Sequence, residues 1–328
     1  MKIKFNFFKA LAGDSILIST DNTNILIDGG FGITYEEQIK PKINRIKNGL
    51  DLVVLTHIDE DHICGLIEMV KNDRTNTAKI KELWFNSIKS IQVRKNRNVS
   101  VSYGQGLTFD DLLSEYDVPI NNEVFLTNSE NEKRYTINNE IELQLLSPYE
   151  SDLRILEQKE PQNQHPTECG KYKASQVSTK FGNDKRPPNK SSIAFILKYD
   201  IKEFLFLADA NIDVVNRSLE KLGYSETNKL KVEFVKLSHH GSLENINEEF
   251  LKLIDTSKFV ILTEGKRYGH PSKEIFPLII EHQGRDKDIE FIFNYEGIKN
   301  RRLQEAKDNK VDLSRCLFKV LAYNVLEV

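Results

Sequence analysis

The sequence predicts a layered α/β sandwich. Short apolar and β-branched segments alternate with segments of helical character over most of its 328 residues. One of them, residues 52–55, is apolar at every position, which is typical of a strand buried on both faces of a sheet. Several predicted strands end directly on carboxylate or imidazole side chains. Because α/β proteins place ligand-binding residues at strand ends, we expect a functional site along one edge of the sheets.

The composition is that of a globular protein without a membrane anchor. Hydrophobic residues make up 39% of the chain and charged residues 29%. The formal net charge of −3 argues against a protein that coats nucleic acid over its whole surface, but it is compatible with a local basic groove. No apolar run approaches the roughly 20 residues that span a bilayer, and the amino-terminal residues alternate like a strand instead of forming a signal peptide. We therefore expect no membrane insertion.

The cysteines indicate a reducing environment. Cys64, Cys169 and Cys316 are odd in number and far apart, and they lack zinc-knuckle spacing. This usage predicts a cytoplasmic protein with no disulfide framework.

Residues 1–295 carry the alternating strands and helices and are predicted to form the main domain. Within them, residues 150–190 are polar and contain proline, which predicts a long loop or lid. Residues 296–328 are predicted to add a short charged helix and an apolar strand. That strand can pair with the sheet or with another subunit, and the sequence leaves both options open.

The densest chemical signal is a run of four metal-ligand residue types within six positions: His57, Asp59, Asp61 and His62. They follow the apolar strand at residues 52–55, where closely spaced carboxylates would repel one another and lose solvation. A bound divalent cation removes that difficulty. Further candidates stand alone at other strand ends, where each would more often be an ordinary turn or surface residue: Asp28, Asp209, His239, His240 and His270. The cluster strengthens the case for all of them.

The motifs resemble those of the metallo-β-lactamase superfamily. The loop Thr56-His-Ile-Asp-Glu-Asp-His-Ile-Cys-Gly is similar to its signature loop, in the variant with aspartate in place of the second histidine. The remaining matching segments follow in the order of the family and are Gly13-Asp-Ser, Asp28-Gly-Gly, Asn189-Lys-Ser-Ser-Ile, Phe206-Leu-Ala-Asp-Ala, Lys236-Leu-Ser-His-His-Gly-Ser and Tyr268-Gly-His-Pro-Ser. The nearest resemblance is to the soluble domain of the bacterial DNA-uptake channel protein ComEC and its stand-alone relatives.

The resemblance implies a four-layer αββα sandwich with one or two divalent metal ions, zinc or manganese, at one edge. It implies a first metal on His57, Asp59 and Asp209. The second is expected on Asp61, His62 and one of His239 or His240, with His240 favoured and Asp209 bridging. Aspartate at position 59 hardens the ligand set and favours manganese or magnesium over zinc.

Two departures from the family pattern stand out. Most hydrolases of the superfamily have a further histidine ligand where this chain has residues 188–192, so one site lacks a nitrogen ligand. His165, in the polar insertion, is a candidate substitute. Ala208 replaces a usual glycine, a change that we expect to be tolerated.

The predicted function is a metal-dependent hydrolase, most simply a phosphodiesterase or nuclease that uses a metal-bound hydroxide. Asp61 is expected to orient the hydroxide, and His270 to donate a proton to the phosphate or to the leaving oxygen. Asn189, Ser191 and Ser242 are candidate substrate contacts.

Alternatives remain open at this stage. The same centre suits a cyclic-nucleotide or lactone hydrolase. A weakly active or partner-activated component of a multi-protein bacterial defence system is a different class, and a protein partner or a homodimer is compatible with it. Nucleic acid is a candidate partner because two basic stretches exist: Lys89, Arg94, Lys95 and Arg97, and then Lys180, Lys185, Arg186 and Lys190.

Overall fold

Two β-sheets face each other in the computed structural model, which describes residues 2–86, 104–130, 132–156, 169, 187–283 and 287–328. The strands are β1 Lys4–Phe7, β2 Ile16–Ser19, β3 Asn24–Ile27, β4 Leu52–Val54, β5 Leu83–Trp84, β6 Ile120–Asn121, β7 Arg134–Ile137, β8 Ile141–Ser147, β9 Ala194–Tyr199, β10 Lys202–Phe206, β11 Leu230–Lys231, β12 Val235–Lys236, β13 Ile254–Asp255, β14 Lys258–Ile261, β15 Ile289–Phe293, β16 Cys316–Val320 and β17 Val325–Glu327. One sheet has seven strands in the order β17-β1-β2-β3-β4-β5-β6, and the other has eight in the order β16-β15-β14-β12-β10-β9-β8-β7. A short parallel pair, β11 and β13, stands apart from both.

Helices cover the outer faces of both sheets. They are α1 Gly32–Thr34, a π-helical turn Tyr35–Ile39, α2 Lys40–Ile43, α3 Glu60–Asn72, α4 Arg74–Thr77, α5 Gly104–Glu115, α6 Glu150–Leu156, α7 Pro187–Lys190, α8 Ile212–Lys221, α9 Glu248–Leu253, α10 Ile275–Gln283 and α11 Glu296–Asp308, with 3-10 turns at Ser238–Gly241, Leu243–Asn245 and Ala322–Asn324. Two helix-facing cores lie outside the sheets and a third core lies between them. This is the predicted four-layer αββα arrangement.

Successive side chains of a strand point to opposite faces of the sheet, and both faces are buried here. The strand sequences are therefore apolar at nearly every position. In β9, Phe195 and Leu197 pack between the sheets, whereas Ile196 packs on the helices of the outer layer. Both faces of such a strand are buried, so neither face tolerates charge. The centre of the sandwich is an aromatic cluster in which the Phe5 ring lies 4.7 Å from Phe204 and 5.0 Å from Phe234, centroid to centroid.

The carboxy-terminal residues complete both sheets. The predicted single apolar strand is in fact two strands: β16 pairs with β15 in parallel, and β17 pairs with β1 antiparallel. The 3-10 turn at residues 322–324 separates them, with Tyr323 at φ 55°. The chain thus crosses from one sheet to the other at their shared edge. Of the two options that the sequence left open, the strand takes the first and pairs within its own chain.

Other sequence expectations differ from the structure. The sequence after the histidine cluster favours a helix that opens past Gly65. The helix begins at Glu60 instead, because Asp59 already has the extended backbone of a capping residue and acidic residues at positions 60 and 61 favour a helix amino terminus. The apolar pattern of residues 231–237 favours one strand, but the structure has two short strands there, β11 and β12, in different sheets. Much of the polar insertion lies outside the described residues, although α6 and α7 frame it.

The expectation of no disulfide is wrong. Cys64, on the buried face of α3, is bonded to Cys169 of the insertion, with their Cα atoms 5.7 Å apart. The two residues are separated by 105 positions, so spacing in the sequence carries no sign of their proximity. Cys316 is a free thiol.

No helix among the described residues is both long and apolar enough to cross a bilayer.

Replacing Phe5 by alanine is expected to destabilise the protein by about 3–5 kcal/mol, since it opens a cavity in the aromatic cluster between the sheets. Ile201 is 90% exposed in the turn after β9 and provides the control: Ile201→Ala should stay within about 0.5 kcal/mol of the parent. Urea unfolding of both variants measures the difference. Equal stabilities would mean that Phe5 does not pack as described.

Candidate metal centre

Parallel strands bring the predicted ligands to one edge of the sandwich. β3 and β4 are parallel neighbours in one sheet, and β10, β12 and β14 are parallel neighbours in the other. Their carboxyl ends therefore point the same way. The loop at His57 follows β4, Asp209 follows β10, and His239 and His240 follow β12. Residues more than 150 positions apart in the chain thus meet at one place.

The first ligand loop is fixed by close packing against the loop after β3. Gly29 N donates to His62 O at 2.7 Å, and Gly65 N donates to Gly30 O at 2.8 Å. A Cβ on Gly65 would lie 1.9 Å from Gly29 O, and one on Gly29 would lie 2.4 Å from Leu66 N. Only glycine allows this approach, which sets the start of α3 and with it the direction of the Asp61 and His62 side chains.

The second ligand loop has a rare backbone. His239 and His240 both have left-handed conformations, at φ 46° and 55°. Such strain costs on the order of 1–3 kcal/mol per residue and persists where the surrounding structure enforces it. Here it turns two successive imidazoles towards the same centre, with ring centroids 5.8 Å apart.

Asp209 lies at the middle of the cluster. Its Oδ2 atom is 3.8 Å from His57 Nε2, 3.7 Å from His239 Nε2 and 4.0 Å from His240 Nε2. Its Oδ1 atom is 3.6 Å from His62 Nε2. The residue before it, Ala208, is itself left-handed at φ 46°, which accounts for the glycine usual at this place in the resembling family.

Two overlapping ligand sets can hold metal ions among the described residues. One comprises His57, His62 and Asp209, and the other Asp61, His62 and His240. Asp59 lies at the rim of the first set, with Oδ2 3.8 Å from His57 Nε2 and its side chain 27% exposed. His240 Nε2 is 3.7 Å from Asp61 Oδ2 in the second set. Donor atoms bound to one ion at about 2.1 Å stand roughly 3–4 Å apart, so these spacings suit divalent cations.

Each of the four histidines has its Nδ1 atom engaged on the side away from the centre. His57 Nδ1 lies 3.1 Å from Thr56 Oγ1, and His62 Nδ1 lies 2.8 Å from Asp28 Oδ2. His239 Nδ1 lies 3.1 Å from Asn245 Oδ1, and His240 Nδ1 lies 2.9 Å from Leu262 O. Acceptors at Nδ1 place the proton there and direct the Nε2 lone pair towards the centre. This is the tautomer that a metal-ligating histidine needs.

The donor atoms that face the centre fit a cation. Within the described part of the chain, four buried atoms there have no hydrogen-bond partner: His57 Nε2, His62 Nε2, His240 Nε2 and Asp209 Oδ1. A buried polar atom without a partner costs about 1–3 kcal/mol, so their convergence on one place requires an explanation. Coordination of a divalent ion satisfies all of them together.

The electrostatics lead to the same conclusion. Burial, reinforced by neighbouring His62, lowers the pKa of His57 to about 3. Burial opposes ionisation of Asp209, but the imidazoles of His239 and His62 outweigh it and hold the pKa of this carboxyl well below its usual range. Burial likewise opposes a charge on His240, yet Asp14 and Asp209 raise the pKa of this residue to about 9. Without a metal the neighbouring carboxylates therefore favour a proton on His240, where a bound cation would otherwise supply the positive charge.

His239 brings a further imidazole nitrogen to Asp209, on the side of His57. Its Nε2 atom contacts the same Asp209 oxygen as His57 Nε2 does. The turn that replaces the family histidine lies beside this site, since Ile193 N donates to Thr56 O at 3.0 Å. The two alternatives of the sequence, His239 and His240, are thus both turned towards Asp209, with their Nε2 atoms 3.7 Å and 4.0 Å from its Oδ2 atom. His165 lies outside the described residues.

The other predicted site residues lie around the centre. The His270 ring is 4.7 Å from that of His239. Asn189 and Ser191 are buried in the turn before β9, and Ser242 accepts a hydrogen bond from Glu244 N at the start of a 3-10 turn. The basic residues are not described, apart from Lys190: Lys89, Arg94, Lys95, Arg97, Lys180, Lys185 and Arg186. Their role stays a prediction.

Sequence reasoning marked Asp28 as a strand-end candidate but did not assign it the role of orienting ligands, and it did not find Asn245. Asp28 accepts hydrogen bonds from Thr56 N and Thr56 Oγ1, both at 2.8 Å, in addition to its contact with His62. The position of Asp28 directly after β3 was the sequence feature that marked it as a candidate. No sequence feature marked Asn245, because nothing in its local sequence shows that it reaches His239.

A family model matches part of the chain. Residues 9–130, less than half of the chain, match the family model described as "Metallo-beta-lactamase superfamily". No curated protein matches the chain by sequence. Similar solved structures include the metallo-β-lactamase fold protein YhfI from Bacillus subtilis, at 11% identity and TM-score 0.48 over 100% of this chain and 99% of that one. Zinc-bound PqqB from Methylobacterium extorquens is 13% identical, with TM-score 0.46 over 100% and 99%. The short form of human tRNase Z is 11% identical, with TM-score 0.41 over 89% and 91%.

The matched residues include β2 to β6 and the first ligand loop. The family match supports the metallo-β-lactamase superfamily, whereas the finer resemblance to ComEC stays a prediction. With its two sheets, flanking helices and ligand-bearing edge, this chain has the metallo-β-lactamase fold, and its site supports a metal-dependent hydrolase.

Proposed function

We propose that this chain is a metal-dependent phosphodiesterase that acts on nucleic acid. The observation that carries the proposal is the position of Asp209, whose two oxygens face imidazoles from both ligand sets. A carboxylate shared in this way suits a pair of metal ions. Paired ions about 3.5–4 Å apart serve in-line displacement at phosphorus in phosphatases and nucleases.

We assign four ligand residues to each ion, and Asp209 belongs to both sets. His57, Asp59, Asp209 and His239 hold one ion, and Asp61, His62, Asp209 and His240 hold the other. When bound, such ions would supply Lewis acidity and lower the pKa of a water molecule towards about 7. The carboxylate at position 59 makes the first set harder than a pair of histidines would, which favours manganese.

Asp61 is the residue proposed to orient the attacking water. Burial opposes its ionisation, but His240 and His62 outweigh it and lower the pKa of Asp61 far below the usual range. The carboxylate therefore stays ionised at neutral pH and accepts a hydrogen bond. Its helix begins at Glu60, so the backbone holds the side chain in a fixed direction.

The positively charged Arg267 side chain beside the first ligand loop favours an anionic substrate over a lactone or an amide. The Arg267 guanidinium lies 4.7 Å from the Tyr268 ring centroid and 5.8 Å from that of Phe31. It is 3.9 Å from Glu60 Oε2, next to the first ligand loop. Stacked guanidinium groups bind phosphate well because the plane is held ready for paired hydrogen bonds.

The proposal is tested by stripping the protein of metal and reloading it with manganese, magnesium or zinc. The substrates are single-stranded DNA, double-stranded DNA, RNA, cyclic nucleotides and an aryl phosphodiester. Metal-dependent cleavage of a nucleic acid is expected, and Asp61→Asn should lower its rate at least about 100-fold, since an oriented base contributes that much. His282→Gln, on α10 outside the ligand sets, is the matched control and should keep the parental rate. Cleavage of only cyclic nucleotides, or of no phosphodiester by fully loaded protein, would overturn the nucleic-acid assignment.

His239 and His240 are expected to serve different ions. After gel filtration in metal-free buffer, the parent should retain two manganese ions per chain, and His239→Ala and His240→Ala one each. The double variant His57→Ala/His239→Ala should lose no more manganese than His239→Ala alone, because we assign both residues to the same ion. Elemental analysis gives the counts. Two ions retained by His239→Ala would contradict the assignment of a metal to this histidine.

His270 is proposed to protonate the leaving oxygen. His270→Gln should keep two metal ions but lose about 100-fold in kcat on nucleic acid. With a 4-nitrophenyl phosphodiester, whose leaving group needs no proton, the loss should nearly disappear. An equal loss on both substrates would instead indicate that His270 binds the phosphate.

A further inference from the structure

A buried ion pair lies directly behind the second ligand set. Lys236, at the end of β12, is 1% exposed and its Nζ atom donates to Asp14 Oδ2. Asp14 is 2% exposed and lies in the loop between β1 and β2. The pair therefore joins the two sheets at the ligand-bearing edge, across 222 positions of sequence.

Asp14 contacts the second ligand set at two places. Its Oδ1 atom is 3.3 Å from His240 Nδ1, on the same side of the ring as Leu262 O. Its backbone N donates to Asp61 O at 3.2 Å. A single residue thus touches the ring of one ligand and the backbone of another.

Lys236 also contacts the segment that carries Asp209. Its Nζ atom lies 3.4 Å from Ala208 O, the carbonyl that accepts a hydrogen bond from His239 N at 2.8 Å. Ala208 has the left-handed backbone that turns the chain into Asp209. The lysine is therefore placed to hold this strained turn as well as Asp14.

Folding alone gives little reason to keep such a pair. Removing two charges from water costs several kcal/mol per ion, and apolar side chains of similar size usually stabilise a core equally well or better. By contrast, groups that orient metal ligands from behind typically change metal affinity by about 10–100-fold.

We propose that Asp14 and Lys236 are positioning residues for the metal held by Asp61, His62 and His240. Lys236 holds Asp14, and Asp14 keeps the His240 ring oriented with Nε2 towards Asp61 and Asp209. The inference rests on the metal centre of the proposed function but not on its substrate.

The test uses the full-length, metal-stripped protein and calorimetric titration with manganese alone. The parent is expected to show two binding phases, and His240→Ala identifies the phase that belongs to the second set. Lys236→Met removes the lysine partner of the buried Asp14 carboxylate, so it is expected to lower the melting temperature. Asp14→Asn/Lys236→Met removes both charges and should restore much of that temperature. The affinity of the His240 phase should nevertheless be about 10–100-fold weaker in the double variant, with the other phase little changed.

Asp51 and Lys81 provide the control pair. Their 2.7 Å ion pair involves a buried carboxylate at the opposite end of β4 from His57. Asp51→Asn/Lys81→Met should leave both binding phases unchanged. The inference is overturned if Asp14→Asn/Lys236→Met binds both ions like the parent, or if both phases weaken together. A parent that binds two ions but cleaves no phosphodiester would overturn only the proposed function, whereas a parent that binds none would overturn both.

Discussion

The ligand-bearing edge depends on the concentration of buried imidazoles around the carboxylate of Asp209. Four Nε2 atoms lie within 4.0 Å of its two oxygens. Such an arrangement is unfavourable for an isolated protein, because buried donor atoms converge on one place without hydrogen-bond partners. A divalent cation converts the same arrangement into a stable one. The surrounding hydrogen bonds are devices in the sense that they hold the metal-donor atoms in place until an ion binds.

Those devices come from both sheets. Asp28 and Thr56 follow β3 and β4 and fix His62 and His57, whereas Asn245 and Leu262 O follow strands of the other sheet and fix His239 and His240. The aromatic core between the sheets keeps these two groups in register. A shift of one sheet against the other would therefore separate the two halves of the centre. Stability of the core and geometry of the site are coupled for this reason.

The sequence was sufficient to predict the sandwich, the strand-end location of the site and the dense ligand run from His57 to His62. Each of these follows from local pattern: apolar segments, their period and the chemistry at their ends. The sequence did not predict the disulfide of Cys64 or the two-strand carboxy terminus. It also did not predict that His239 and His240 both approach Asp209. These features depend on the angle at which distant segments meet. The left-handed backbone at two successive histidines is another feature of this kind, because no local sequence pattern predicts it.

Part of the backbone strain in the described residues lies around the same centre. Asp28, Ala208, His239 and His240 are all left-handed, and each is a ligand, holds a ligand or directly precedes one. At on the order of 1–3 kcal/mol each, this strain is a large part of the roughly 5–15 kcal/mol that stabilises an ordinary domain. Metal binding can offset it, since a ligand at 1,000 times its Kd adds about 4 kcal/mol to folding stability. The geometry of the apo site is thus one that folding tolerates and that the bound ions stabilise.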